Sequence, residues 1–173
     1  MASNFQNYQP KKRGVCESTL LKATKVGHHY NVVSDEELEN GCMCKLGNYV
    51  REDIWQADIP AIGDKLVLIN SPVKIYETYT TRMQEESNYF IAPQEVARAN
   101  EIQDTDRFTL SKEAFSDAAN PEVGEYVGVD GAGYKLTTLG KVDPGATYGF
   151  LGKIYAIANN GNYRIWVVRN NQL

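Results

Sequence analysis

Histidine is nearly missing from this chain: His28 and His29 are the only two in 173 residues. Nucleophilic catalysis needs a base beside a serine or cysteine, and both imidazoles stand in a stretch without sustained periodicity, so no catalytic residue is assigned and no enzyme is expected. Cysteine is scarce and odd in number, Cys16, Cys42 and Cys44. A secreted disulfide framework uses even sets, and Cys42 and Cys44 lie too close in sequence to bridge comfortably. Reduced thiols are the simpler reading. No apolar run approaches the roughly 20 residues of a membrane span, and the mean hydropathy of -0.45 argues the same way. Met1 is followed by Ala-Ser-Asn-Phe-Gln-Asn, which lacks a signal-peptide core, so synthesis in the cytoplasm and no membrane partner are expected.

Familiar chemical signatures are also missing. There is no Gly-x-Ser-x-Gly elbow, phosphate loop or dinucleotide fingerprint; the glycines from Gly124 to Gly133 belong to a hairpin. His28, His29, Cys42 and Cys44 contain zinc-compatible donors, but Cys-x-Cys and adjacent His-His are not the usual spacings, so no metal ligand and no cofactor are assigned. The carboxylate pairs Glu85/Glu86 and Asp104/Asp106 read as solvated loops, with nothing to hold them apart in a cleft. Three clustered cations on a chain of pI 5.2 are too few for a nucleic-acid interface, so no specific nucleic-acid partner is expected. No repeat of about 20 to 50 residues is present.

What is present is β signal. Phe150–Arg169 consists of two apolar arms around Asn159-Asn160-Gly161-Asn162, whose residues tolerate the positive φ of a tight reversal. Ile165 and Val167 point one way and Trp166 and Val168 the other, so both faces carry apolar surface that other strands or a second chain must cover. Glu125–Val129 and Tyr134–Leu139 bracket Asp130-Gly131-Ala132-Gly133 as a second hairpin. Lys65–Asn70 reads as a strand apolar on both faces, Val73–Thr80 alternates, Tyr89–Ile91 adds a short run, and Arg107–Leu110 reads as a strand. Pro93 is placed to open a helix running to about Gln103, and Ser34-Asp35-Glu36-Glu37 fits a capping box opening a short helix that ends at Asn40-Gly41. The fold class predicted is mainly β, with minor α: a small β-barrel or sandwich with one short inserted helix and an extended N-terminal arm. The predicted divisions are an arm over 1–30, a short helix and connecting segment over 31–62, and a β-rich globular domain over 63–173.

The arm is assigned because residues 1–30 lack any sustained period. Lys11, Lys12 and Arg13 are the only charged side chains in its first thirteen residues, and Phe5 and Tyr8 are its only large apolar groups before Val15. Alone in water such a segment buries little and should be disordered or extended. Two aromatic anchors interleaved with amide side chains suit a groove on a partner, which makes Phe5, Tyr8, Lys11, Lys12 and Arg13 the candidate partner-binding residues. Ordering such an arm costs roughly 1 to 2 kcal/mol of backbone entropy per residue, so its docking must bury apolar surface or pair strands along its length.

Asn7–Lys12, Gly63–Pro72 with the following Ile75-Tyr76-Glu77, Glu95–Ala99, Asp106–Ser111 and Gly149–Ile154 together resemble head proteins of tailed bacteriophages that act as decoration or cement proteins and are encoded near the major capsid protein. The resemblance implies a virion structural protein on the head exterior, with the major capsid protein as partner, possible self-association on the shell, an N-terminal segment gripping capsid subunits and a compact β domain beyond it. Another virion component, such as a head fibre base or a tail protein, a host-binding β module, or an unrecognised Cys/His enzyme are the alternatives.

Overall fold

The computed structural model describes residues 12–73 and 85–173. In chain order the elements are β1 (Cys16–Glu17), α1 (Lys22–Val26), β2 (His29–Val33), β3 (Met43–Arg51), β4 (Ile54–Asp58), β5 (Val67–Ile69), β6 (Ala97–Glu101), β7 (Arg107–Leu110), β8 (Tyr126–Gly128), β9 (Thr137–Gly140), β10 (Phe150–Ile157) and β11 (Tyr163–Asn170), with single 3-10 turns at Glu86–Asn88, Lys112–Ala114 and Gly145–Thr147. The fold is mainly β, as the composition and turn signals predict. It contains a closed five-stranded barrel, in the order β2-β4-β3-β5-β6 and back to β2, and a six-stranded sheet in the order β1-β7-β11-β10-β8-β9. Every pairing between these strands is antiparallel except β2 with β4, which run parallel.

One strand joins the two halves. Successive side chains on a strand point to opposite faces, and β5 with its preceding residue is apolar on both. Val67 and Ile69 enter the barrel interior with Val32, Cys44, Ala57, Ala97 and Ala99. Leu66 and Leu68 enter a second core with Phe108, Leu110, Val127, Phe150, Ile154, Ile165 and Val167 from the sheet. The run Lys65–Asn70 therefore looks doubly apolar because it is the wall between two cores. Asn170, at the end of β11, stitches the same wall: its side-chain amide donates to the carbonyls of Leu66 and Ile102, both at 2.8 Å, and accepts from the Leu66 amide at 2.8 Å. Gly149 marks a second close approach. A Cβ there would sit 2.4 Å from the Gly63 carbonyl oxygen and 2.5 Å from that of Asp64, so only glycine lets these backbones meet.

Both predicted hairpins form. β10 pairs with β11 from Phe150↔Asn170 to Ile157↔Tyr163, with two bulges, and Gly161 adopts φ +83° in the connection. β8 pairs with β9 across the Gly131 loop, which carries Tyr134 over to the barrel core.

Three expectations change. The segment predicted as an arm to residue 30 is packed from Gly14 onward: β1 pairs with β7, Leu21 is fully buried, and β2 is a barrel stave, crossing the predicted boundary at 30/31. Its small inward residues, Gly14, Cys16 and Ser18, are pressed against other elements too closely to produce a strong hydrophobic pattern. Residues 1–11 of that expectation lie outside the described residues. The capping-box helix is not formed. Ser34 Oγ instead accepts from the Glu36 amide at 3.0 Å, a local turn that competes with a helix cap, and residues 43–58 make the β3–β4 hairpin with Glu52 and Asp53 at positive φ. The helix predicted after Pro93 is replaced by β6, in which Ala97 and Ala99 face the barrel interior and Arg98 faces out. Alanine, arginine and glutamate favour helix in isolation, but the methyl groups of Ala97 and Ala99 are fully buried in the barrel core with Val32, Val67 and Ile69, and that packing overrides the local preference. Among the described residues the one α-helix is the five-residue α1, closed by Gly27 at φ +76°. Of the alternating run Val73–Thr80, residues 74–80 lie outside the described residues.

Candidate functional site

The described chain enters the fold through a buried ion cluster. Glu39 follows the turn after β2 and is 4% exposed. Its carboxylate accepts from the Gly14 amide at 3.0 Å and from the Arg13 guanidinium at 3.1 Å, and pairs with Lys135 Nζ at 3.0 Å. Arg13 also pairs with Glu37, lies 4.9 Å from the centroid of the Phe90 ring, and donates its backbone amide to the Ser87 carbonyl at 2.7 Å. Lys135 donates to the Glu113 carbonyl at 2.7 Å. The Cβ that Gly14 lacks would fall 2.5 Å from the Asn40 carbonyl oxygen, so glycine is what lets residues 13–14 lie flat on the barrel. Burial pushes the Glu39 carboxyl up, but the Gly14 amide, Lys135 and Arg13 more than offset this and hold its pKa below the usual value.

This geometry redistributes the five residues proposed for partner binding. Phe5, Tyr8 and Lys11 lie outside the described residues. Lys12 is exposed. Arg13 is committed to Glu37, Glu39 and Phe90, so it anchors the segment and does not present a free charge. The acidic run Asp35–Glu39, which reads as a helix start, supplies the receiving half of the anchor through two of its carboxylates. Sequence gives no sign of that pairing, because the partners are separated by 24 and 26 positions.

The chemically reactive residue types are spread through structural roles. His28 Nδ1 lies 3.2 Å from Glu101 Oε2, and Lys65 Nζ lies 2.8 Å from the other oxygen of that carboxylate. All three cysteines are free and buried; burial pushes the Cys42 thiol up to about 11 and those of Cys16 and Cys44 further still. Among the described residues no three His, Cys, Asp or Glu side chains converge on a point where a metal ion could sit. Since the thiolate is the reactive form, the native protein is expected to resist iodoacetamide at neutral pH, with all three thiols labelled only after unfolding. Mass spectrometry of the alkylated native protein checks this, and a labelled thiol before unfolding would contradict the packing of the segment that carries it.

Two surfaces stand out. An open polar cleft of about 530 Å³ runs beside β1 and β6, lined by Ser18, Asn70, Glu86, Arg98, Asn100 and Asn162 among others. Its groups are largely engaged with one another or with backbone: Asn70 donates to Ser18 Oγ at 2.5 Å, and the Arg98 amide donates to Ser71 Oγ at 2.7 Å. Burial raises the Glu86 carboxyl. The other surface is the outer face of the sheet. Here Tyr155 and Trp166 are each 40% exposed, while Ile165 and Val167, the opposite set on β11, are fully buried. The expectation of apolar surface on both faces of this hairpin is met, and only one face is covered within the described chain. No family model, curated protein or solved structure matches this chain.

Proposed function

We propose that this chain is a structural protein of a tailed-phage virion that binds the outside of the head and stabilises the shell, gripping the major capsid protein with its first twelve residues. The observation that carries the reading is the Arg13–Glu39–Lys135 cluster. A segment bearing Phe5 and Tyr8 joins the folded body at a point where one carboxylate ties the chain to the barrel and to the β8–β9 loop at once. Force on the segment is therefore delivered into a closed barrel and not into a fraying end. The resemblance of the sequence to head decoration proteins supports the same assignment, as does the structural engagement of Glu39, Asp64, Glu101 and Asp106, whose carboxylates hold neighbouring segments together. Copies arrayed on one lattice would bind through many weak contacts at high effective concentration.

The test separates grip from fold. Deleting Met1–Lys11 and keeping Arg13 should leave thermal stability unchanged and abolish co-sedimentation with heads assembled without the protein. Phe5→Ala and Tyr8→Ala in the full chain should each weaken binding by about 2 kcal/mol. Full binding by the truncated chain would remove the segment from the mechanism, and electron microscopy placing the labelled protein on the tail would favour a different virion component.

A further inference from the structure

The base pattern of the outer sheet face is a single row. Arg107 is directly opposite Trp166, Trp166 opposite Lys153, and Lys153 opposite Tyr126, across β7, β11, β10 and β8. Neighbouring strands lie about 5 Å apart, so cations and rings alternate along one line on the surface. Lys153 Nζ lies 4.8 Å from the centroid of the Tyr126 ring. Arg164, two residues before Trp166 on β11, adds a third cation to the same face and is exposed. Among the described residues none of these three cations is ion-paired, and the chain that carries them has a net charge of -4. Glu17, opposite Thr109 on β1, lies at the margin. Exposed tryptophan, tyrosine and arginine together are the residue types that anchor protein interfaces.

A surface of matching chemistry exists elsewhere on the same molecule. Asp35, Glu36 and Glu37 are exposed on the loop after β2. The Gln94 amide donates to the Ser34 carbonyl at 2.8 Å, and Leu38 bridges to Ile91, so the 90–96 segment runs alongside that loop and brings Glu95 beside it. Phe90 and Val96 are each 42% exposed there. Four carboxylates thus share this rim with two apolar side chains, and Arg13 neutralises one of them.

We propose that the cationic, aromatic sheet face of one copy docks head to tail on the acidic rim of a second copy, Trp166 meeting the apolar side chains of the rim while Arg107, Lys153 and Arg164 meet its carboxylates. Two sheet faces brought together would set like charges against each other, so a symmetric sheet-to-sheet dimer is disfavoured. A contact between two different patches leaves each copy with one patch free, and association continues into a ring or a chain. The inference concerns the protein in solution and does not depend on the virion assignment.

Light scattering and sedimentation of the full chain over a concentration series provide the test. Association is expected at about 50 mM salt and should weaken by about tenfold or more at about 500 mM. Trp166→Ala should weaken it by about thirtyfold with the fold intact. Arg107→Glu with Arg164→Glu, and separately Asp35→Lys with Glu36→Lys, should each give a monomer with a wild-type circular dichroism spectrum. Mixing those two monomers should restore association, because the untouched acidic rim of the first fits the untouched cationic face of the second, while the reversed face of the first fits the reversed rim of the second. A wild-type protein that stays monomeric at every concentration, an association indifferent to the reversals, or a mixture that stays monomeric would each overturn the proposal.

Discussion

Replacing Asn170 with alanine is expected to lower stability by about 3–5 kcal/mol, a fall in Tm of roughly 6–20 °C for a chain of this size. The side chain is 4% exposed and satisfies three backbone groups at 2.8 Å, the Leu66 amide and the carbonyls of Leu66 and Ile102. Leu66 and Ile102 are fully buried, so water cannot replace the lost amide, and each orphaned group keeps its desolvation cost. Asn170→Asp separates this account from simple loss of packing. Aspartate keeps the shape and still accepts from the Leu66 amide, but it has no donor for the two carbonyls and sets negative charge against them. It should be at least as destabilised as the alanine variant at neutral pH. Calorimetry of the three proteins decides the matter, and an aspartate variant close to wild type would show that the wall between the cores is held by packing alone.

The second large effect belongs to Glu39. Glu39→Ala removes the shared partner of Arg13, Lys135 and the Gly14 amide from a site nine-tenths buried, which should cost about 3 kcal/mol. The loss is moderated because Arg13 keeps Glu37 and Lys135 keeps the Glu113 carbonyl. The pH dependence follows from the direction of the shift. The folded-state pKa of Glu39 is depressed, so its contribution is fully present above the unfolded glutamate value of about 4.3 and is lost as pH falls through the folded value. The stability gap between wild type and Glu39→Gln should therefore be widest from about pH 5 upward and should narrow on acidification below about pH 4. Urea unfolding of both proteins across that range reads the gap, and a gap that grows towards acid would refute the assignment. The truncation starting at Lys12 keeps this cluster whole, whereas removing Arg13 as well would mix loss of grip with loss of stability.

The strands after residue 63 are legible because turn chemistry brackets them: Gly161 and Gly131 sit where the backbone reverses, and Ile165 and Val167 alternate with Trp166. Lys65–Asn70 announces itself as buried on both sides, although the reason, a wall shared by two cores, lies outside the sequence. The front half is obscure for a physical cause. β2 buries only Val32 and Val33, and β3 buries only Met43 and Cys44 before running out to exposed residues, so neither shows a full period. Ala97 and Ala99 read as helix because methyl groups carry no strand signature, yet both face the barrel interior. Ser34 and the following acids satisfy a helix-start pattern that tertiary partners redirect, the hydroxyl to a local turn and the carboxylates of Glu37 and Glu39 to Arg13. The binding candidates Lys12 and Arg13 stand side by side in sequence and divide in the structure into an exposed charge and an internal one. The outer sheet face was half visible, since Trp166 had to face away from Ile165, but the row it forms with Arg107, Lys153 and Tyr126 needs the register of four strands.

Barrel closure has a further consequence for a protein held at high local density. An open strand edge is a template on which another chain can add, and crowding raises the rate at which that happens. The five barrel staves, β5 among them, have no such edge, because β6 returns to β2. The sheet ends in β1, two residues long, and β9, four residues long and closed by Gly140. Neither offers the long flat margin from which fibrils grow, so the architecture allows dense packing of copies while giving runaway strand addition little to start from.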